Sequence, residues 1–316
     1  MRKVIGIGET ILDIIFRNEQ PSAANPGGSV FNSCLSLARL GVPVTFISEV
    51  GDDHVGHSTL RYMQENGINT DYIEVYQDFK SPISLAFLNS QSDAEYSFYK
   101  TYPEKRLNIQ LPKVEKDDIV MLGSYYSVTP ALREKHLELL EAARKVGAIV
   151  FYDPNFRMPH KAEAWKLSSF ILENMEYATI VRGSKEDFQV LYDIEGADKV
   201  YKDKVSFYCP NFIYTRGDDA LSLRTRNVQK EYPVEQLTPV STVGAGDNFS
   251  AGIIYGLIKE GIGVEDVPNI NEQTWDRIIG YGCTFAKEVC LSYDNSISKE
   301  FAARISNLTS IPSALH

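Results

Sequence analysis

Six short apolar runs recur along this chain, at residues 3–8 (KVIGIG), 43–50 (PVTFISEV), 118–123 (DIVMLG), 148–153 (AIVFYD), 178–183 (ATIVRG) and 211–217 (NFIYTRG). Each has the length of a strand buried on both faces, and most are separated by stretches of helical period, such as 129–147 and 185–194. Strand and helix in alternation confine the chain to an α/β fold with a mainly parallel central sheet covered on both sides. One region breaks the rhythm. Residues 82–100 (PISLAFLNSQSDAEYSFYK) read as two extended segments around a polar turn. Such a hairpin either covers an active site as a flap or continues a sheet edge, and the pattern leaves both open. With 316 residues the chain fits one large domain, or one domain with a small appendage. There is no internal repeat.

Bulk properties narrow the ligands. The chain is 43% hydrophobic and 23% charged, a globular balance. A net charge of -10 argues against nucleic acid or an anionic membrane as the main partner. An anionic ligand must then be held by helix N-termini, a metal ion or a few basic side chains. Cys34, Cys209, Cys283 and Cys290 form no CxxC pair and read as reduced thiols of a cytoplasmic protein. The N-terminal apolar run is interrupted by Glu9 and Asp13, unlike a signal peptide, and no run of 18 apolar residues exists.

Three glycine-rich stretches compete for the phosphate. GIGETI (6–11) lacks the third glycine of a dinucleotide fingerprint and continues as extended sequence, so it reads as a tightly packed strand end. PGGSVFNSCLSLARLG (26–41) is a loop feeding a helix, with Asn32 in the first turn facing the hollow of the loop. STVGAGDNFSAG (241–252) is the most informative. Phe249, Ile253 and Leu257 keep helical spacing, so a helix starts inside the motif. Gly244, Ala245 and Gly246 then present backbone N–H groups to an anion. Asp247 sits in the first turn, where the helix dipole favours its ionised form. A carboxylate beside an anion hole suits a general base that takes the proton of a hydroxyl attacking a phosphoryl group; a plain helix cap is the competing role. His54 and His57 stand three apart without further ligands near them. Asp153, Asn155 and Arg157 follow a strand end, where ligands of open sheets gather. Arg157 is a candidate for phosphate or substrate, and Tyr99 and Lys100 end the hairpin where they can cover a ligand.

These motifs, in order along nearly the whole chain, resemble the ribokinase-like (PfkB) carbohydrate kinases. PGGSVFN with GDDHVGHSTLRYMQENGI resembles their N-terminal signature and STVGAGDNFSAGII their C-terminal one, with GETILD, YDPNFR, VRGSKED and YTRGDDA between. The resemblance implies a single three-layer α/β/α sandwich over residues 1–316 with a small β lid from segments near 10–18 and 82–100. It implies ATP-dependent phosphorylation of a primary sugar hydroxyl, with Mg2+ on the nucleotide. Asp247 matches the family's base, and Gly244, Ala245 and Gly246 its anion hole. Asp13, Gly28 and Asn32 match positions that bind sugar hydroxyls. Thr215 and Gly217, with Thr242, fall on the nucleotide side. Ser184 and Asp187 stand where many members have Asn-x-x-Glu, so Asp187 is the indirect metal candidate. Ser241 replaces the aspartate that helps build a monovalent-cation (K+) site.

Motif detail is nearest to fructokinases and the neighbouring 2-keto-3-deoxygluconate kinases, with ribokinase and nucleoside kinases as alternatives. A sugar acid would need a cation for its carboxylate, and Lys100, Arg106 and Arg157 are the candidates. A sugar-binding sensor without catalysis is the alternative from another class. A homodimer built through the lid sheet is the oligomeric expectation.

Overall fold

The computed structural model describes residues 2–88 and 94–307. Its strands are, in chain order, β1 (Val4–Ile7), β2 (Ile11–Arg17), β3 (Gln20–Gly27), β4 (Val44–Gly51), β5 (Ile68–Asn69), β6 (Ile73–Tyr76) and β7 (Ile83–Leu88). They continue as β8 (Ala94–Tyr99), β9 (Ile119–Gly123), β10 (Ile149–Asp153), β11 (Ile180–Ser184), β12 (Phe212–Thr215), β13 (Ala220–Arg224) and β14 (Gln229–Pro233). Helices are α1 (Ser29–Arg39), α2 (His54–Glu65), α3 (Arg133–Val146), α4 (Ala164–Tyr177), α5 (Lys185–Tyr192) and the short α6 (Ala197–Val200). The last three are α7 (Ala245–Lys259), α8 (Glu272–Cys290) and α9 (Lys299–Ser306).

The large sheet runs β14-β13-β12-β11-β10-β9-β1-β4-β5, with β6 also on β4. From β12 to β5 it is parallel, and β13 and β14 extend it antiparallel. Each of the six apolar runs became one of its strands. The pleat divides their side chains between two cores. Val4, Ile119, Met121, Ile149 and Phe151 face α1, α7 and α8, whereas Ile5, Ile7, Val120, Leu122, Val150 and Tyr152 face α3, α4 and α5. Strands that must satisfy both cores cannot alternate with polar residues, which is why they read as continuous apolar runs. The result is the expected three-layer sandwich.

A second, four-stranded sheet stands apart, in the order β3-β2-β7-β8. The hairpin of β7 and β8 answers the expectation for residues 82–100, although its polar turn at 89–93 lies outside the described residues. It joins β2 in parallel register, and β2 pairs with β3 antiparallel. β3 is not legible in the sequence. Its QPSAANPG carries two prolines and reads as loop, but an edge strand tolerates residues that donate no ladder hydrogen bond. Ile11, Asp13 and Ile15 of β2 and Ser84 and Ala86 of β7 are buried on one face of this sheet. Leu12, Ile14, Phe16, Ile83, Leu85 and Phe87 lie half-buried on the other.

Candidate active site

The carboxyl ends of the parallel strands converge on the start of α7, as ligand sites of open α/β sheets do. Gly244 is the N-cap of that helix, at φ 79. A side chain there would strike the backbone of Asn295, with the carbonyl oxygen 2.8 Å from a β-carbon, so glycine is required both by conformation and by space. The N–H of Ala245 turns back to the Thr242 carbonyl at 3.2 Å, which removes one of the three expected anion donors. The N–H groups of Gly244 and Gly246 have no backbone acceptor among the described residues. A β-carbon on Gly246 would lie 3.1 Å from the Arg182 guanidinium, so a full positive charge lies under the hole.

Arg182 was not singled out from the sequence, although a cation inside an apolar strand run was a signal. It is 4% exposed and donates to Asp153 Oδ2 at 3.0 Å and to Thr215 Oγ1 at 2.7 Å. Ser250 of α7 also donates to Asp153 Oδ2, at 2.9 Å. Burial pushes the Asp153 carboxyl up to about 6 against the pull of Arg182. Its Oδ1 is buried without a partner among the described residues.

Asp247 occupies the first turn of α7 and is 6% exposed. Its Oδ2 accepts from Asn32 Nδ2 at 2.8 Å, and Oδ1 meets Asn155 Nδ2 at 3.4 Å. Ser33 Oγ donates to its backbone carbonyl at 2.7 Å, fastening α1 to α7. The helix dipole alone favours the ionised form of this carboxylate. In the fold, desolvation dominates and raises its pKa above the ordinary carboxylate range, while Asn32, Arg157 and Arg182 oppose the rise. A proton acceptor works best when its pKa lies nearer the working pH, so burial helps the assigned role.

The sugar candidates meet at the small sheet. Gly28, the N-cap of α1, adopts φ 124 beside the Glu9 carbonyl. Asp13 accepts from Ser84 Oγ in a short bond and from Asn295 Nδ2 at 3.2 Å. Burial raises the Asp13 carboxyl to about 7, and the nearby Asp247 and Glu9 charges add to that. Tyr99 does not join them. It lies on the outer face, 58% exposed, because alternation along β8 turns Tyr96 and Phe98 inward instead. Phe98 stands 6.2 Å from His160, whose ring stacks on Tyr125 at 4.0 Å, so an aromatic row joins the small sheet to the large one.

Lys100 lies within the site but is not free. Its Nζ contacts both Glu9 oxygens at 3.1 Å, and Tyr102 also donates to Glu9. Arg106 is held by the buried Glu49, with Nε 2.9 Å from Oε1. Arg157 reaches Glu186 at 3.2 Å. Desolvation works against the Arg157 charge, but Asp187, Tyr96, Glu186 and Asp247 together hold it protonated.

On the other side, Ser184 and Asp187 form a closed capping box at the start of α5. Asp187 Oδ2 takes the Ser184 N–H and hydroxyl, each at 2.7 Å, and Oδ1 takes the Phe156 N–H at 2.7 Å. Both oxygens accept hydrogen bonds from the protein, so Asp187 positions the turn bearing Asn155 and Arg157. Thr215 ends β12 and Gly217, at φ 65, follows it. Among the described residues, no group of three or more His, Cys, Asp or Glu is placed to hold a metal ion.

A model of the pfkB family carbohydrate kinases matches residues 1–301. The chain belongs to that family. It is therefore a sugar kinase. It is 24% identical to probable fructokinase-4 of Arabidopsis thaliana over 284 residues, covering 85% of this chain and 86% of that protein. It is 25% identical to fructokinase-1 of Oryza sativa subsp. japonica, covering 85% and 87%. In fold it is similar to the Vibrio cholerae O395 fructokinase crystallised with fructose, ADP and calcium, with a TM-score of 0.80, 20% identity, and 95% and 96% of the two chains covered. The aminoimidazole riboside kinase of Salmonella enterica gives 0.77 at 20% identity, covering 97% and 100%. No helix among the described residues is long and apolar enough to cross a membrane.

Proposed function

We propose that this kinase transfers the terminal phosphoryl group of ATP to a primary hydroxyl of a neutral sugar, with fructose the first substrate to test. One observation carries the choice. The three cations able to meet a sugar carboxylate each already face a carboxylate: Lys100 on Glu9, Arg106 on Glu49 and Arg157 on Glu186. A sugar acid would have to share a cation whose charge a protein carboxylate already offsets, whereas a neutral sugar needs hydrogen bonds alone. This favours the fructokinase reading over a 2-keto-3-deoxygluconate kinase.

The sugar lies between Asp13 and Asp247, and the small sheet acts as its lid. Asp247 Oδ1, held by one long contact, takes the proton of the attacking hydroxyl. The new bond forms from that oxygen to the phosphorus as the bond to the ADP oxygen breaks. The Gly244 and Gly246 N–H groups and the Arg182 charge face the phosphoryl oxygens. The nucleotide extends past Thr242, Thr215 and Gly217 along the ends of β11 and β12, near Ser184. Magnesium bound with nucleotide usually needs only one or two carboxylates besides phosphate and water. The unpartnered Asp153 Oδ1 fits that need. When bound, the ion neutralises phosphate charge.

A sensor that binds sugar without turnover gains nothing from a buried carboxylate with raised pKa beside an open anion hole. The half-buried apolar outer face of the lid suits a second copy of the chain. The free cysteines fit the cytoplasm. The test is ADP release by the purified protein with Mg-ATP over a panel of neutral and acidic sugars. Turnover of fructose or another neutral sugar is expected; preference for a sugar acid would overturn the reading, and binding without release would favour the sensor.

A further inference from the structure

The segment between α8 and α9 lies outside every motif above, yet Asn295 within it touches both halves of the site. It is 3% exposed. Its Nδ2 donates to Asp13 Oδ2 at 3.2 Å. Its backbone carbonyl accepts from Asn248 Nδ2 of α7 at 2.8 Å, and its backbone is what forbids a side chain at Gly244. A residue 48 positions beyond the base, by 295 minus 247, thus links the sugar carboxylate of the lid to the anion hole.

With Asp13 in its ionised form, the bond fixes the orientation of the amide, since a carboxylate then accepts and does not donate. The amide oxygen Oδ1 is then left buried with no partner among the described residues. Asn32 repeats the arrangement: its nitrogen faces Asp247, and its Oδ1 is buried and unpartnered too. Two amides each give a hydrogen to a site carboxylate and keep an unmet acceptor. Buried polar atoms are paired as a rule, so such acceptors await a ligand that brings hydrogens. A polyhydroxylated sugar brings several.

We propose that Asn295 is a sugar-binding residue, its Oδ1 accepting one substrate hydroxyl beside Asp13 while its backbone sets Gly244. The inference rests on the reading that a neutral sugar is phosphorylated here. Through this residue the sugar and the anion hole are placed relative to each other.

The test is a cycle between Asn295→Leu, nearly the same shape, and monodeoxy analogues of the sugar that the wild-type enzyme turns over. The variant should raise the sugar KM by at least ~5-fold, as for loss of a buried hydrogen bond, with KM for ATP and kcat within about 2-fold. One monodeoxy analogue should show the same loss in the wild type and no further loss in the variant. An unchanged sugar KM, or losses that simply add for every analogue, overturns the proposal. So does a parallel fall of kcat, both KM terms and thermal stability, which marks a structural role. If the leucine variant does not fold, Asn295→Ser goes through the same cycle with the same outcomes. A wild type that turns over no neutral sugar defeats the proposed function and this inference together; a working wild type without coupling defeats this inference alone.

Discussion

Asn32 donates a hydrogen bond to Asp247 across 2.8 Å, joining two residues 215 positions apart in the chain. The bond ties the first turn of α1 to the first turn of α7, so the two glycine-rich segments become one site. It also orients the carboxylate, leaving Oδ1 as the oxygen with the weaker hold.

Asp247→Asn should lower kcat by at least ~10²-fold, the contribution typical of a general base. The sugar KM should move much less, because the anion hole is backbone and Asn is the same shape. Steady-state kinetics decide it. Normal turnover would reduce Asp247 to a helix cap, and a pure KM effect would make it a sugar ligand.

Asp13 gives a pH dependence of stability. Its carboxyl is raised to about 7 in the fold from an ordinary 3.8. The folded state therefore holds this proton more tightly than the unfolded chain does. That contribution is fully present below the unfolded pKa and is lost as pH rises through about 7. The melting temperature of the ligand-free protein should rise as pH is lowered from neutral toward 5. Asp13→Asn should flatten that slope and raise Tm above neutral pH, while weakening sugar binding. A Tm that climbs with pH in the wild type and ignores the substitution contradicts the assignment.

If the small sheet is a lid, sugar should slow amide hydrogen exchange in β7 and β8 as it closes out water. Hydrogen-exchange mass spectrometry with and without saturating sugar and nucleotide measures this. Exchange that does not change there removes the lid from the mechanism.

Ser241 bears on the monovalent cation. Its hydroxyl accepts from the Val243 N–H at 3.2 Å, and the Cys290 carbonyl beside it already accepts from Val240 at 2.8 Å. A neutral, internally bonded corner offers K+ little. Activity should therefore be about equal in potassium and sodium buffers, and potassium should not raise Tm. Strong potassium activation would contradict this.

The apolar outer face of the small sheet, where Phe16 stacks on Phe87 at 4.8 Å, should bring two copies together. Light scattering should report a dimer, and Phe87→Glu should shift it toward monomer with the fold retained. A monomeric wild type at micromolar concentration removes the dimer.

The sequence by itself determined the layers, the central strands and the candidate base. Those strands are buried on both faces, so their apolar character is continuous and shows without any knowledge of neighbours. The start of α7 was legible for a related reason: a glycine turn, a carboxylate and a helical repeat lie within one short stretch, and local chemistry defines them. What only the tertiary structure decided depends on contacts between distant segments. The edge strand β3 is held by pairing with β2, against the grain of its prolines. On β8 the parity that exposes Tyr99 and turns Phe98 inward follows from register against β7, where Ser84 faces Phe98. Asp187 reads from the sequence as an indirect metal candidate, and only the fold brings the Phe156 N–H and Ser184 to its two oxygens. Lys100 looked free until Glu9 reached it from the end of β1. Asn295 carries no local signature, because its place beside Asp13 and Gly244 is created by the return of the chain after α8. Charge pairing and strand register are properties of neighbours, and neighbours far apart in the chain are chosen by the fold.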